Sequence, residues 1–231
     1  MFRVKICGLT CPEDAAAIAS GDATASGDAT TSGDVDAVGL NFYPPSVRYV
    51  SPERAAEIVT ALPASIATVG VFVNATAASI RETAAAVNLD FVQFHGDEPP
   101  EFLNDLSGLK IIRAFRFQGW SPIQDYLARC EAGRLPDALL IDSFQPGHYG
   151  GTGEKADWNV VRQRPPGLPD LPIILAGGLN PENVADAIRA ASPFAVDVAG
   201  GVESEPGRKD ATRVQSFARN ATSALREISS R

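Results

Sequence analysis

Lys5 and Cys7 stand two residues apart in VKICGLT (residues 4–10), an apolar run close to the start of the chain. Alternate side chains of a β-strand point to the same face, so the ammonium and the thiol are expected side by side. A neighbouring ammonium favours the thiolate, which is the form of cysteine that can take a proton. Cys7 is therefore a candidate base. The alternative is a buried cysteine that serves as a small apolar residue.

Asp142 closes another apolar run, ALLID. A carboxylate at the end of a buried strand is costly unless it is paired or faces a polar cavity. Asp142 is a candidate general acid that complements Cys7, and the alternative is an aspartate that caps a loop. The glycine-rich segment QPGHYGGTGEK (145–155) follows it and predicts a flexible cover over a bound ligand.

Arg48, in YPPSVRYVSP, is a candidate carboxylate ligand. Its guanidinium can grip a planar carboxylate through two parallel N–H bonds, which a lysine cannot reproduce. The alternative is a surface arginine stacked on Tyr49 or Pro45. His95, next to Gly96, is interpreted as structural and is assigned no catalytic step.

Two glycine pairs predict a phosphate site. Gly177-Gly178 precedes Asn180-Pro181, and Gly200-Gly201 precedes Val202-Glu203. Backbone N–H groups in such loops bind a phosphate dianion without side-chain charge. Tight turns also use glycine, so turning alone is the alternative.

Predicted strands and helices, which must position these residues, alternate regularly along the chain. Eight short apolar runs are each followed by an Ala-rich stretch of helical length that starts with polar residues: 3–9, 37–43, 67–73, 91–96, 110–117, 138–144, 172–178 and 194–201. Helix starts are predicted from capping residues and prolines: Cys11-Pro12, Ser51-Pro52, Asn74, Ser121-Pro122 and Asn180-Pro181. Eight β-then-α units favour an α/β fold, a (β/α)8 TIM barrel that forms a single domain over residues 1–231. An open doubly wound sheet is the alternative, although GxGxxG is missing after the first strand.

In such a barrel the active site lies at the carboxyl ends of the strands, and a phosphate site recurs after strands seven and eight. Cys7, Asp142 and the two glycine pairs fall at those ends.

One segment departs from the alternation of strands and helices: residues 20–36 form a near-repeat, SGDATASGDATTSGDVD. We expect it to be a mobile insertion between the first helix and the second strand, without a catalytic role.

Composition narrows the class of partner. The 231 residues carry 20 basic and 28 acidic side chains, a formal net charge of −8, without a basic run. This balance argues against nucleic-acid and anionic-membrane surfaces. No signal peptide or membrane-length apolar run is apparent. Cys7, Cys11 and Cys130 form an odd, sparse set, which argues against a zinc site and favours a reduced, cytoplasmic setting.

Together these segments resemble phosphoribosylanthranilate isomerase of tryptophan biosynthesis. The resemblance runs in order through VKICGLT, NFYPPSVRYVSPERA, VQFHGDE, LLIDSFQPGHYGGTGEKADW, ILAGGLNPENVADAI and VDVAGGVESEPGRKD. It implies a barrel that needs neither metal nor organic cofactor, acts on a small-molecule substrate, and is a monomer or a homodimer.

The resemblance also implies an Amadori rearrangement of N-(5-phosphoribosyl)anthranilate, an aminoaldose, to 1-(2-carboxyphenylamino)-1-deoxyribulose 5-phosphate. At the matching positions, Asp142 would protonate the ribose ring oxygen and Cys7 would remove the C2 proton. Arg48 would hold the anthranilate carboxylate, and Asp197 would contact the bridging amine. One departure is that Ala199-Gly200 stands where the family usually has Ser-Ser, so a hydroxyl contact with phosphate is lost.

Two other functions stay open on the sequence. The related isomerase of histidine biosynthesis is expected to use two aspartates, whereas strand one here ends in Cys7. A non-catalytic phosphate-binding barrel would have no need for Cys7, Asp142 and Arg48 together.

Overall fold

The computed structural model describes residues 1–19, 35–130, 134–142 and 158–230, and its eight parallel strands close into a barrel. Each strand pairs with the next one in the chain, and the last returns to the first, where Lys5 is in register with Asp197. The predicted (β/α)8 barrel is confirmed, and the open sheet is excluded. The strands are β1 (Val4–Cys7), β2 (Ala37–Asn41), β3 (Ala67–Phe72), β4 (Phe91–Phe94), β5 (Ile111–Arg116), β6 (Ala138–Asp142), β7 (Ile173–Ala176) and β8 (Ala195–Val198).

Helices lie outside the barrel between the strands. They are α1 (Pro12–Ala19), α2 (Pro52–Thr60), α3 (Ala77–Val87), α4 (Ser121–Ala128), α5 (Asn159–Arg162), α6 (Val184–Ala191) and α7 (Ala211–Ser229). A 3-10 helix, Pro100–Leu106, connects β4 to β5. After β8 come a 3-10 turn, Gly200–Val202, and a small hairpin of β9 (Glu203–Glu205) and β10 (Arg208–Lys209).

The predicted helix starts are right to within a few residues. Ser51 caps α2, and its hydroxyl accepts from the Arg54 N–H at 3.2 Å. α3 begins later than expected, because Thr76 is its cap and Asn74 instead adopts a left-handed turn with φ 52°. α6 also begins later, at Val184, since Asn180 ends the preceding loop by accepting from the backbone N–H of Glu182 and Asn183.

The apolar residues form two layers around the strands. One layer fills the lower barrel interior with inward side chains such as Phe91, Ile112 and Leu140. The other lies between the strands and the helices and includes Ile6, Leu40 and Phe217. Inward positions nearer the carboxyl ends of the strands are polar, so the barrel interior changes from an apolar core to a polar cavity along its axis.

Two sequence predictions fall largely outside the described residues. The proposed cover at 145–155 lies wholly outside them, and so do residues 20–34 of the predicted insertion. Its last two residues are described. Val35 is buried, and the Asp36 carboxylate accepts from the backbone N–H groups of Arg3 and Val4, both at 3.0 Å. These two residues therefore pack against the barrel.

Candidate active site

Cys7, Asp142 and Asp197 come from three strands that end at the same side of the barrel. Cys7 is the last residue of β1, Asp142 is the last residue of β6, and Asp197 lies in β8. The Lys5 ammonium is fully buried and contacts Asp197 Oδ1 at 2.8 Å. Cys7 and Asp197 thus lie beside Lys5 in a buried arrangement that sequence spacing alone did not indicate.

Burial dominates the state of the Cys7 thiol. It raises the thiol's pKa above the ordinary value, although the nearby Lys5 charge acts in the opposite direction. Lys5 therefore acts on the thiol in the expected direction, but burial outweighs its effect. Asp197 already neutralises Lys5 and itself raises the pKa of Cys7. The thiol is the resting form, and deprotonation is favoured only as the pH rises.

A second polar chain leads from Lys5 across the interior. Lys5 Nζ donates to Gln93 Oε1 at 3.1 Å, and Gln93 Nε2 lies 3.2 Å from His95 Nδ1. His95 Nε2 in turn lies 3.8 Å from Asp142 Oδ2. Sequence reasoning treated His95 as structural and missed Gln93. The available signal was a glutamine in the apolar strand FVQF, two residues before His95 and on the same face.

Arg48 is held by an acidic residue rather than stacked on the surface. Its Nε and Nη2 donate to the two carboxylate oxygens of Glu203, each at 2.7 Å. The buried ammonium of Lys209 also contacts Glu203 Oε1, at 2.8 Å. Burial raises the pKa of the Glu203 carboxyl, but the hydrogen bonds from Arg48 and Lys209 outweigh it, and the net pKa is lowered. Sequence reasoning gave Glu203 no role, although it stands two residues after the second glycine pair.

The backbone around Arg48 is shaped to bring its side chain over the end of β1. Gly8 has φ 81°, and a Cβ there would overlap Arg48 Cδ. The loop is braced by Ser46, whose hydroxyl accepts from the Arg48 backbone N–H at 3.1 Å and from Asn41 Nδ2 at 3.2 Å. The guanidinium consequently lies beside Gly200, where a Cβ would approach Nη2 to 3.4 Å.

The loop that follows the first glycine pair lies against the second pair at Gly201. A Cβ at Gly201 would overlap the Leu179 carbonyl, so this approach is open only to glycine. Gly177 and Gly178 have φ of 90° and 66°. Asn183 secures the loop by donating from Nδ2 to the Gly178 carbonyl at 2.9 Å. The 3-10 turn that starts at Gly200 has no side-chain cap, which leaves its amide end suited to an anion.

The described parts of the chain show neither a metal-binding cluster nor a membrane-spanning helix. There, no group of three or more His, Cys, Asp or Glu side chains is arranged to hold a metal ion. Nor does that part include a helix both long and apolar enough to cross a membrane.

Comparisons with known proteins agree on one family. A family model described as N-(5'-phosphoribosyl)anthranilate (PRA) isomerase matches residues 4–220. The N-(5'-phosphoribosyl)anthranilate isomerase of Geobacter sulfurreducens is 44% identical over 224 residues, which are 96% of this chain and 98% of the relative.

Solved structures give the same result. The phosphoribosylanthranilate isomerase of Thermotoga maritima has a TM-score of 0.77 at 38% identity, covering 96% of this chain and all (100%) of that one. An isomerase structure in complex with reduced 1-(o-carboxyphenylamino)-1-deoxyribulose 5-phosphate has a TM-score of 0.75 at 37% identity, with coverages of 96% and 100%. The chain therefore belongs to the N-(5'-phosphoribosyl)anthranilate isomerase family.

Proposed function

We propose that this protein converts N-(5'-phosphoribosyl)anthranilate to 1-(2-carboxyphenylamino)-1-deoxyribulose 5-phosphate in tryptophan biosynthesis. Family membership supports the reaction, as does likeness to an isomerase solved with the reduced product. The observation that carries the proposal is the common location of Cys7 and Asp142 at the carboxyl ends of β1 and β6. Acid and base on different strands can act on different atoms of one substrate.

Ring opening is the first step, with Asp142 as general acid. Asp142 gives its proton to the ribose ring oxygen while the C1–O bond breaks and its electron pair goes to that oxygen. The lone pair of the bridging nitrogen forms the C=N bond of a Schiff base. Asp142 is left as a carboxylate, and no atom is oxidised or reduced overall.

Cys7 then acts as the base. Its thiolate, formed when the resting thiol gives up its proton to solvent, takes the proton from C2. The electron pair of that C–H bond forms the C1–C2 double bond of an enolamine, and the electron pair of the C=N bond returns to nitrogen. The enolamine becomes the ketone when the Cys7 thiol gives a proton to C1 and the Asp142 carboxylate takes the proton of the C2 hydroxyl, which restores both groups. The sum is an isomerisation, so the chemistry proposed here requires proton transfers only.

Arg48 and the glycine pairs hold the two anionic ends of the substrate. Glu203 occupies the Nε and Nη2 edge of Arg48. We therefore assign the anthranilate carboxylate to the remaining edge, where Nη1 and the second Nη2 hydrogen make two parallel bonds. The phosphate is assigned to the backbone around Gly177, Gly178, Gly200 and Gly201. Asp197 is assigned to the bridging amine through the carboxylate oxygen that does not contact Lys5.

The test is turnover of freshly prepared substrate, followed through the fluorescence of the anthranilate group. We expect activity with the purified protein. Absence of turnover by folded protein, with phosphate ligands still bound, would instead support a binding barrel without catalysis. The protein is proposed to work as a monomer or a homodimer in the cytoplasm, and sedimentation tests the assembly.

A further inference from the structure

A continuous line of polar groups crosses the barrel interior from β8 to β6. It runs from Asp197 through Lys5, Gln93 and His95 to Asp142, with successive separations of 2.8, 3.1, 3.2 and 3.8 Å. Lys5, Gln93 and Asp197 are 0%, 1% and 7% exposed, so solvent cannot replace the hydrogen bonds among them. The line ends at the residue assigned above as the general acid.

Donor and acceptor chemistry fixes the direction of each hydrogen bond. A lysine ammonium can only donate, so the Gln93 atom that faces Lys5 must be the carbonyl oxygen. The amide nitrogen of Gln93 therefore faces His95, and an NH2 group can only donate. His95 Nδ1 must accept this bond, which means that Nδ1 carries no proton. The Lys5 ammonium thereby fixes the orientation of the Gln93 amide.

Neutral His95 consequently carries its proton on Nε2, the nitrogen nearer Asp142. The imidazolium is disfavoured, because a proton on Nδ1 would face the Gln93 amide hydrogens. Burial also lowers the pKa of His95, against the opposing charge of Asp142. The charged groups that act on the ring come from four strands: Lys5 on β1, Arg116 on β5, Asp142 on β6 and Asp197 on β8.

The backbone that carries His95 is rigidly held. The His95 N–H donates to the Phe72 carbonyl at 2.9 Å. The next residue, Gly96, donates to Glu98 Oε2 at 3.0 Å, and the buried Arg113 binds both Glu98 and the Gly96 carbonyl. Any closer approach of the imidazole to Asp142 must therefore come from side-chain rotation rather than from movement of the backbone.

We propose that Lys5 and Gln93 are positioning residues that keep His95 in the neutral Nε2–H tautomer, with this N–H directed at Asp142 Oδ2. The proton needed for ring opening is thereby left on Oδ1. A separation of 3.8 Å is too long for a hydrogen bond, and such contacts often tighten once substrate is bound. The proposal rests on the proposed function in its last step only, since it takes Asp142 to be the acid.

A neutral donor suits an acid better than a charged one. An imidazolium next to Asp142 would stabilise the carboxylate strongly and so keep Asp142 deprotonated, the form that cannot donate a proton. A neutral N–H orients the carboxyl group while stabilising the carboxylate less. Gln93 thus influences Asp142 without touching it, because it sets which nitrogen of His95 carries the proton.

The direct test is nitrogen NMR of protein labelled with ring-15N histidine. The chain has two histidines, His95 and His148, so a His148→Gln variant assigns the spectrum. We expect His95 to show a protonated Nε2 and an unprotonated Nδ1 from about pH 6 to 8. A proton on Nδ1, or titration near the ordinary histidine value of about 6.5, would overturn the proposal. In Gln93→Glu the new carboxylate accepts from Nδ1, so His95 should gain a proton there.

Two substitutions of His95 test its effect on Asp142. A glutamine amide nitrogen can occupy the place of Nε2 and donate to Asp142, whereas the shorter asparagine mimics Nδ1 and does not reach. We expect His95→Gln to retain kcat within about tenfold, and His95→Asn to lose about a hundredfold, with KM little changed in both. Equal kcat values for the two variants would refute the positioning role.

These measurements separate the inference from the proposed function. Turnover by the wild type together with the Nδ1–H tautomer would refute the inference alone. The Nε2–H tautomer in a folded protein without turnover would leave the hydrogen-bond line in place and refute the proposed function.

Discussion

Replacing Arg48 with lysine probes the carboxylate site most sharply. Arg48 uses Nε and Nη2 to hold Glu203 at 2.7 Å and keeps a second edge for the substrate. A lysine has one ammonium, which cannot present two flat edges to two carboxylates. Arg48→Lys should therefore weaken substrate binding. The fold should persist, because Lys209 still neutralises the buried Glu203 at 2.8 Å.

The magnitude follows from the bonds that are lost. The substrate carboxylate loses one charge-assisted hydrogen bond of its pair, which is worth about 1.5–3 kcal/mol. At about 1.4 kcal/mol for each factor of ten, KM should increase roughly ten- to a hundredfold. The value of kcat should change much less, because Cys7 and Asp142 are untouched.

The fluorescence assay gives both constants, and thermal unfolding checks the fold. Arg189→Lys is the matched control, since Arg189 also binds a glutamate through two nitrogens but lies on the exposed surface. Its Nε donates to Glu227 Oε2 at 3.1 Å, and its Nη2 donates to Glu227 Oε1 at 3.4 Å. It should leave KM unchanged. An unchanged KM in Arg48→Lys, with Tm also unchanged, would remove Arg48 from the binding site.

Three further outcomes are expected. Cys7→Ser and Asp142→Asn should each lower kcat by about a hundredfold or more. The control is Cys130→Ser, which removes a partly buried thiol outside the barrel and should leave kcat unchanged. Near-native turnover by Cys7→Ser would exclude Cys7 as the base. Because burial raises the pKa of Cys7, the rate at which iodoacetamide inactivates the wild type should still be rising at the ordinary thiol pKa of 9.0, and a rate that levels off near pH 7 would contradict this. Gly201→Ala should raise KM and lower the free energy of unfolding by about 1–3 kcal/mol, because the added Cβ overlaps the Leu179 carbonyl. Denaturant unfolding measures the second effect. An unchanged KM and an unchanged free energy of unfolding would show that the loop relaxes around the new methyl group.

Sequence alone determined the architecture and the residue types at the strand ends. Eight apolar runs with helical stretches between them predicted the closed barrel, because strand and helix periods are local properties of the chain. Cys7 and Asp142 could be located at the ends of β1 and β6 for the same reason. Helix starts were less well predicted where Thr76 and Asn183, rather than Asn74 and Asn180, precede the first helical residue.

Only the tertiary structure decided which groups touch. The Lys5–Asp197 pair joins residues 192 apart in the chain, the Arg48–Glu203 pair joins residues 155 apart, and both follow from closure of the barrel. A sequence pattern shows which face a side chain occupies, but the register of the closed sheet selects its partners. Burial likewise depends on the whole barrel. That is why the proximity of Lys5 to Cys7 suggested a thiolate, while the folded structure raises the pKa of the thiol.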